Sequence, residues 1–290
     1  LATDSEFKPV PVLAESIESD DNKTYAIKLR QGIKFHNGEE MMAEDVIASM
    51  ERWVEVSPLT GNIFDGATWT EEDDYTVILE LAKPSSLTLD TMASAKQAPG
   101  IMPKEIVESA PPEGVEEYIG TGPYQFVEWK QDQYIHFTKF EDYQSPEGEA
   151  NGLVGRKEAL VDDIYYHIVP DTSTRFAGLQ TGEYDFAYGV PYDYYDQVQN
   201  DPNLEIILTP AANAMMGFNN VQGLSTDTKL RQAINTALDV EEIMMAAYPN
   251  PDFFWLHPGY MDVNITNWLT DGGGEYYNQN DLERGRQLFA

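Results

Sequence analysis

The sequence predicts a mixed α/β chain of about two domains. Three observations carry that prediction. From Thr24 to Leu29, Tyr25, Ile27 and Leu29 alternate with Thr24, Ala26 and Lys28, which is the period of a half-buried strand. Between this run and a second one through Tyr75, Val77, Leu79 and Leu81, the residues Met42, Val46, Met50 and Trp53 recur at helical spacing and make one apolar face. A strand-like run, a helical run and a further strand-like run then follow closely between Ile164 and Ala187, the grammar of a parallel pair with a right-handed crossover.

In chain order, the turn Asp20-Asp21-Asn22 precedes the first of these strands. Pro58 to Gly66 breaks the helical pattern as a loop, Leu87 to Met92 suits a short helix, and Ala93 to Met102 is a small-residue stretch ending at Pro103. Gly120, Gly122 and Pro123, in GTGPYQFVEW, read as a tight bend released into a strand, the glycines allowing backbone angles closed to other residues. Tyr124 to Trp129 and Tyr134 to Lys139, joined by Lys130-Gln131-Asp132-Gln133, read as a hairpin. After the polar segment Ser145 to Arg156, Ile164 to Val169 is a strand. Thr172 or Ser173 caps a helix that buries Phe176 and Leu179, and Gly182 stops it in the left-handed conformation. Tyr184 to Ala187 and Leu204 to Leu208 read as strands. Thr226 caps a helix through Leu230, Ile234, Ala237 and Leu238, and Asp281 to Phe289 is helical.

Composition narrows the function. The chain has 290 residues, 42% of them apolar, so it buries a sizeable core. Its 18 Lys and Arg against 50 Asp and Glu give a net charge of −32, a surface that repels nucleic acid and anionic lipid headgroups. The plain reading of this excess is a solvated, solubilising surface. Adaptation to salt is the sharper one, and it predicts that the melting temperature rises steadily from low to molar KCl as self-repulsion is screened. A flat or falling melting temperature across that range contradicts it. The absence of cysteine excludes disulfides, thiolate metal sites and cysteine nucleophiles.

Reactive chemistry is hard to find. His36, His136, His167 and His257 lie far apart without ligand spacing and are expected to be structural. GTGPY lacks the Lys-Ser/Thr ending of a phosphate loop, and no Gly-x-Ser-x-Gly elbow occurs. The carboxylate pairs Asp73-Asp74 and Asp162-Asp163 keep a hydrolase open as an alternative, which requires a buried pair at reaction distance with perturbed pKa values.

Longer blocks carry more than the motifs. LAESIESDDNKTYAIKLRQGIKFHNGEEMMAEDVIASMERW resembles the extracellular solute-binding proteins of peptide-type ABC importers, the cluster of oligopeptide-, dipeptide- and nickel-binding proteins. So, in order, do GTGPYQFVEWKQDQYIHF, VDDIYYHIVPDTSTRFAGLQTGEYDFA, GFNN with DTKLRQAINTALDVEEI, and YYNQNDLERGRQLFA. The resemblance implies a periplasmic-binding-protein-like, two-lobed α/β fold with an inserted α/β subdomain, and a chain that is a fragment lacking both ends. It places the inserted subdomain of the first lobe at 1–117, the main α/β body of that lobe at 118–208, and a hinge crossover with the start of the second lobe at 209–290. From Thr209 the chain would cross the hinge, with Met215 to Asn219 as a strand near the cleft. Met42 stands where the family has a capping Thr, so Glu44 or solvent is expected to compensate and the helix start to fray. Arg231 is expected to make a structural ion pair.

The function implied is binding and not catalysis. A peptide or peptide-like solute is captured between two lobes and delivered to an ABC permease in the membrane, with no cofactor, no metal and no nucleic-acid partner, by a protein that is monomeric when full length. Its location is extracytoplasmic, in the periplasm or at the outer face of the membrane, with any lipidated cysteine in missing chain. The candidate ligand-binding residues are Lys96, Gln97 and Ala98 at the cleft wall and Met215, Met216 and Phe218 at the crossover. The alternative within the same fold is a non-peptide solute: a sugar, an opine or a metal chelate.

Overall fold

The computed structural model describes residues 1–208, 214–248, 250–261, 265 and 268–290. They form two compact units, Leu1–Ile168 and Val169–Ala290.

The first unit opens with two short antiparallel strands, β1 (Ala2–Thr3) and β2 (Pro9–Val10). Its main sheet contains β3 (Ala14–Glu18) and β4 (Thr24–Leu29). The helix α1 (Ala43–Val56) then leads into β5 (Thr68–Asp73) and β6 (Thr76–Glu80), and the sheet order is β3-β4-β6-β5, antiparallel throughout. Register explains the core. Tyr25 opposes Leu79 and Ile27 opposes Val77, so the apolar alternation of both strands falls on one face. Val46, Met50 and Trp53 of α1 are buried in the same core cluster. The Trp53 ring meets Phe64 edge-on at 5.3 Å, and Phe64 stacks on Trp69 at 6.2 Å.

Two short helices follow, α2 (Thr88–Met92) and α3 (Lys104–Ser109). The start of α1 is better held than its Met42 N-cap suggests. Asp45, buried, accepts the Met42 N–H at 2.8 Å through one carboxylate oxygen and the Lys104 N–H at 2.8 Å through the other. Compensation therefore comes from the third helical position, as in half of a capping box, while Glu44 reaches out to Lys104 Nζ at 3.0 Å.

A second sheet, β7 (Tyr124–Lys130), β8 (Tyr134–Lys139) and β9 (Asp163–His167), is antiparallel in that order. The hairpin turns where Asp132 takes φ 60°, a left-handed position tolerated by Asp. The bend before β7 works differently from the expectation. Neither Gly120 nor Gly122 has positive φ, and a Cβ at Gly120 would lie 3.8 Å from the His36 ring, an ordinary contact. The bend is held by His36. Its backbone N–H donates to Gly120 O (2.9 Å), its Nδ1 accepts from the Gly120 N–H (3.2 Å), and its Nε2–H donates to Gly122 O (3.1 Å). These partners define the neutral Nε2–H tautomer.

Burial holds the His36 pKa below its ordinary 6.5, partly opposed by the bond to Gly122, and no charged side chain contributes. A depressed folded-state pKa means stability that is present above the unfolded value and lost as pH falls through the folded one. Unfolding free energy is accordingly expected to drop more between ~pH 7.5 and ~pH 5 in the parent than in His36→Gln, read by denaturant titration at each pH. Equal losses would show that the clamp does not titrate.

The second unit contains α4 (Thr172–Thr181), α5 (Tyr195–Gln199), α6 (Thr228–Ala237), α7 (Val240–Ala247) and α8 (Leu282–Phe289). Aspartates cap four of the five. Asp171 replaces the expected Thr172 or Ser173; bonds from Ser173 Oγ and Thr174 N–H hold its carboxyl down to about 2. Asp227 replaces Thr226 and accepts from the Lys229 N–H at 2.8 Å, and Asp239 and Asp281 act likewise on α7 and α8. A carboxylate at a helix start gains from the dipole as well as the bond, which favours Asp over a neighbouring hydroxyl. Gly182 ends α4 at φ 74°, as expected. Phe176 is buried and Leu179 half-buried. Helices α6 and α8 pack where Gly285 lies against Ala233, whose carbonyl oxygen a Cβ there would approach to 2.8 Å.

Tyr184–Ala187, Leu204–Leu208 and Met215–Asn219 are not strands in the structure, and the parallel pair expected across α4 is not formed. All three are apolar enough for strands, but a strand exists only where a neighbour presents matching N–H and C=O groups. Several of their side chains stand open instead: Phe186 is 69% exposed and Ile207 68%. Arg231 pairs with carbonyls of Ser225 (2.7 Å) and Thr226 (3.1 Å) and with Thr228 Oγ1, where an ion pair was expected.

Candidate functional site

The segment carrying Lys96, Gln97 and Ala98 has no helix or strand of its own. Its conformation is imposed by a polar stripe along α1. Ser49, Trp53 and the C-cap Ser57 recur every four residues and so lie on one side of the helix. Trp53 Nε1–H donates to Gln97 O at 2.7 Å, and Ser57 Oγ donates to Gln97 Oε1 at 2.5 Å. Ser49 Oγ donates to Met102 O at 3.2 Å and accepts from the Met102 N–H at 3.0 Å. Gln97 is therefore held at backbone and side chain by α1. Lys96 and Ala98 on either side of it are exposed, and Lys96 makes no ion pair among the described residues.

Next along the chain from this segment, Pro99 and Ile101 line a partly open pocket of about 250 Å³ in the first unit. Leu29, Met50 and Met92 form part of its wall with them. Its charged lining is cationic, Arg30 and Lys157, with no Asp or Glu, in a chain that carries 50 of them. The Arg30 guanidinium donates to the carbonyls of Val12, Gln144 and Ser145. No periodic signal in the sequence marks Arg30 or Lys157 as neighbours, because 127 positions separate them.

In the second unit, Met215 is 63% exposed, Met216 52% exposed and Phe218 half-buried. Residues 209–213, where the hinge crossing was expected to begin, lie outside the described residues.

The one carboxylate buried among the described residues is Asp45, both of whose oxygens are taken by backbone N–H groups. Asp73, Asp74, Asp162 and Asp163 are all exposed. The described residues contain no group of three His, Cys, Asp or Glu able to hold a metal ion. No helix among them is long and apolar enough to cross a membrane.

The family model for bacterial extracellular solute-binding proteins, family 5, matches residues 8–290. A protein of Sinorhizobium fredii described as "Probable peptide ABC transporter periplasmic-binding protein y4tO" is 31% identical over 305 aligned positions, covering all of this chain and 56% of its own length. Among solved structures, the oligopeptide-binding protein AppA from Bacillus subtilis, in complex with a nonapeptide, is 26% identical with a TM-score of 0.65 over 99% of this chain and 56% of its own. The ABC transporter substrate binding protein CtaP from Listeria monocytogenes is 27% identical with a TM-score of 0.73 over all of this chain and 57% of its own. The chain thus spans about half the length of the relatives it matches. These relatives are binding proteins and not enzymes, which removes the hydrolase alternative, and they share the α/β fold expected from the resemblance.

Proposed function

The chain belongs to the bacterial extracellular solute-binding proteins, family 5, and from that premise we propose that the protein of which it forms part captures a peptide or peptide-like solute between two closing lobes and delivers it to an ABC permease in the membrane. The observation that carries this reading is the family match over residues 8–290, together with relatives whose names and bound ligand are peptides. The protein works outside the cytoplasm as a monomer.

Lys96, Gln97, Ala98, Met215, Met216 and Phe218 are proposed to touch the solute. For the first three, the support is a wall made rigid by α1 that presents an unpaired ammonium. Such a group suits a peptide carboxylate, and a fixed backbone suits main-chain recognition. For the last three, the support is the open thioethers of Met215 and Met216 and the half-buried ring of Phe218. Native mass spectrometry of the whole protein, purified under mild conditions, is expected to show a co-purified mass that fragments as a peptide. A sugar, an opine or a metal chelate in its place would overturn the peptide assignment while leaving the family intact. Lys96→Ala is expected to weaken peptide binding about tenfold with an unchanged melting temperature.

A further inference from the structure

Of the 15 asparagines in the sequence, two have a hydroxyl residue two positions on with no proline between, Asn22-Lys23-Thr24 and Asn264-Ile265-Thr266. The first lies wholly among the described residues, at the tip of the connection between β3 and β4, with Asn22 and Thr24 both exposed. The backbone there is fully engaged without help from the Asn22 side chain. Asp21 Oδ1 accepts the N–H groups of Lys23 and Thr24, each at 2.8 Å. Ser19 Oγ accepts the Asn22 N–H at 3.1 Å, and Asn22 O accepts the Ser85 N–H at 2.9 Å. The Asn22 carboxamide is left without a partner among the described residues.

That separates it from the other asparagines in the left-handed region. Asn22, Asn278 and Asn280 have φ of 54°, 50° and 49°. Asn278 uses its Oδ1 to accept the Val240 N–H at 2.7 Å, and Asn280 uses its Nδ2 to donate to Asp239 at 2.7 Å. A positive φ alone would account for an asparagine at 22. It does not account for Thr24, whose hydroxyl stands beside Asp21 at 3.5 Å, outside strong hydrogen-bond range, on an exposed strand start.

We propose that Asn22 is a glycan acceptor: its carboxamide nitrogen carries an N-linked sugar chain on the exposed β3–β4 tip. The donor class is a lipid-linked oligosaccharide phosphate or pyrophosphate. A bond forms between Asn22 Nδ2 and the anomeric carbon, the bond from that carbon to the phosphate oxygen breaks, the lipid phosphate leaves, and the amide nitrogen loses one proton. No oxidant or reductant is needed. The proposal rests on the extracytoplasmic location given above, since such transfer takes place outside the cytoplasm.

The test is peptide mapping by mass spectrometry of the protein purified from the cells that encode it, with the cell fraction it came from recorded. The peptide containing Asn22 is expected to be heavier by one or more sugar residues and to release sugar fragment ions. The added mass should be lost in Asn22→Gln and in Thr24→Ala and kept in Thr24→Ser, which preserves the hydroxyl. Unmodified peptide in protein recovered from outside the membrane overturns the glycan and leaves the location standing. Unmodified peptide in protein confined to the cytoplasm overturns both.

Discussion

Replacing Trp53 with alanine is expected to destabilise the first unit by about 3–5 kcal/mol, the range for emptying a buried aromatic site. Trp53 is 6% exposed and packs edge-on against Phe64, which in turn stacks on Trp69, so its loss opens a cavity at the junction of α1 and the β3-β4-β6-β5 sheet. It also removes the indole N–H from Gln97 O and leaves that carbonyl without the partner that fixes its position. Trp53→Phe separates the two effects: the core stays largely filled, and the lost hydrogen bond accounts for about 1 kcal/mol. Denaturant unfolding of the three proteins measures both. A loss in Trp53→Ala no larger than in Trp53→Phe would mean that the ring is not the core element drawn here. Because the indole anchors the segment 96–98, solute binding is expected to weaken in both variants, and in Trp53→Phe to weaken by more than its stability loss explains.

Asp45→Ala is expected to cost about 2–4 kcal/mol, since each of two N–H groups left unpaired at a buried site costs about 1–3 kcal/mol and local water recovers part of it. The two donors belong to different elements, Met42 at the start of α1 and Lys104 at the start of α3, so one side chain joins two helix N-termini. A carboxylate at that place also gains from both dipoles. Asp45→Asn keeps one acceptor oxygen and is expected to lose roughly half as much. Equal losses in the two variants, measured by thermal and denaturant unfolding, would show that charge and not pairing is what matters.

How far the sequence could be read depended on where each element finds its partners. β4, α1 and β6 were legible because burial on one face writes a period into Tyr25-Ile27-Leu29, Val46-Met50-Trp53 and Val77-Leu79. β5 was not, because Trp69 is its one buried side chain and Glu71, Glu72 and Asp73 face water. α3 escaped for a similar reason, having six residues behind Pro103 and only Ile106 and Val107 inside. Tyr184–Ala187, Leu204–Leu208 and Met215–Asn219 failed in the opposite sense. Their composition is that of strands, but pairing is a property of the neighbour, and composition does not encode it.

The candidate site was legible to the same degree. The resemblance pointed to 96–98, yet the stripe of Ser49, Trp53 and Ser57 that shapes this segment was visible in the sequence only as part of an apolar helix. The role of the bend was readable as structural, while its mechanism was not. His36 and Gly120 are 84 residues apart, and nothing local at either position announces the imidazole clamp.

The central claim is that this family 5 chain belongs to a peptide-binding protein, and calorimetric titration of the whole protein with a library of dipeptides to oligopeptides tests it most directly. The account predicts saturable binding of at least one peptide class with a dissociation constant on the order of micromolar or tighter, weakened about tenfold by Lys96→Ala. No binding by any peptide, with a sugar, an opine or a metal chelate bound at that strength instead, would contradict it.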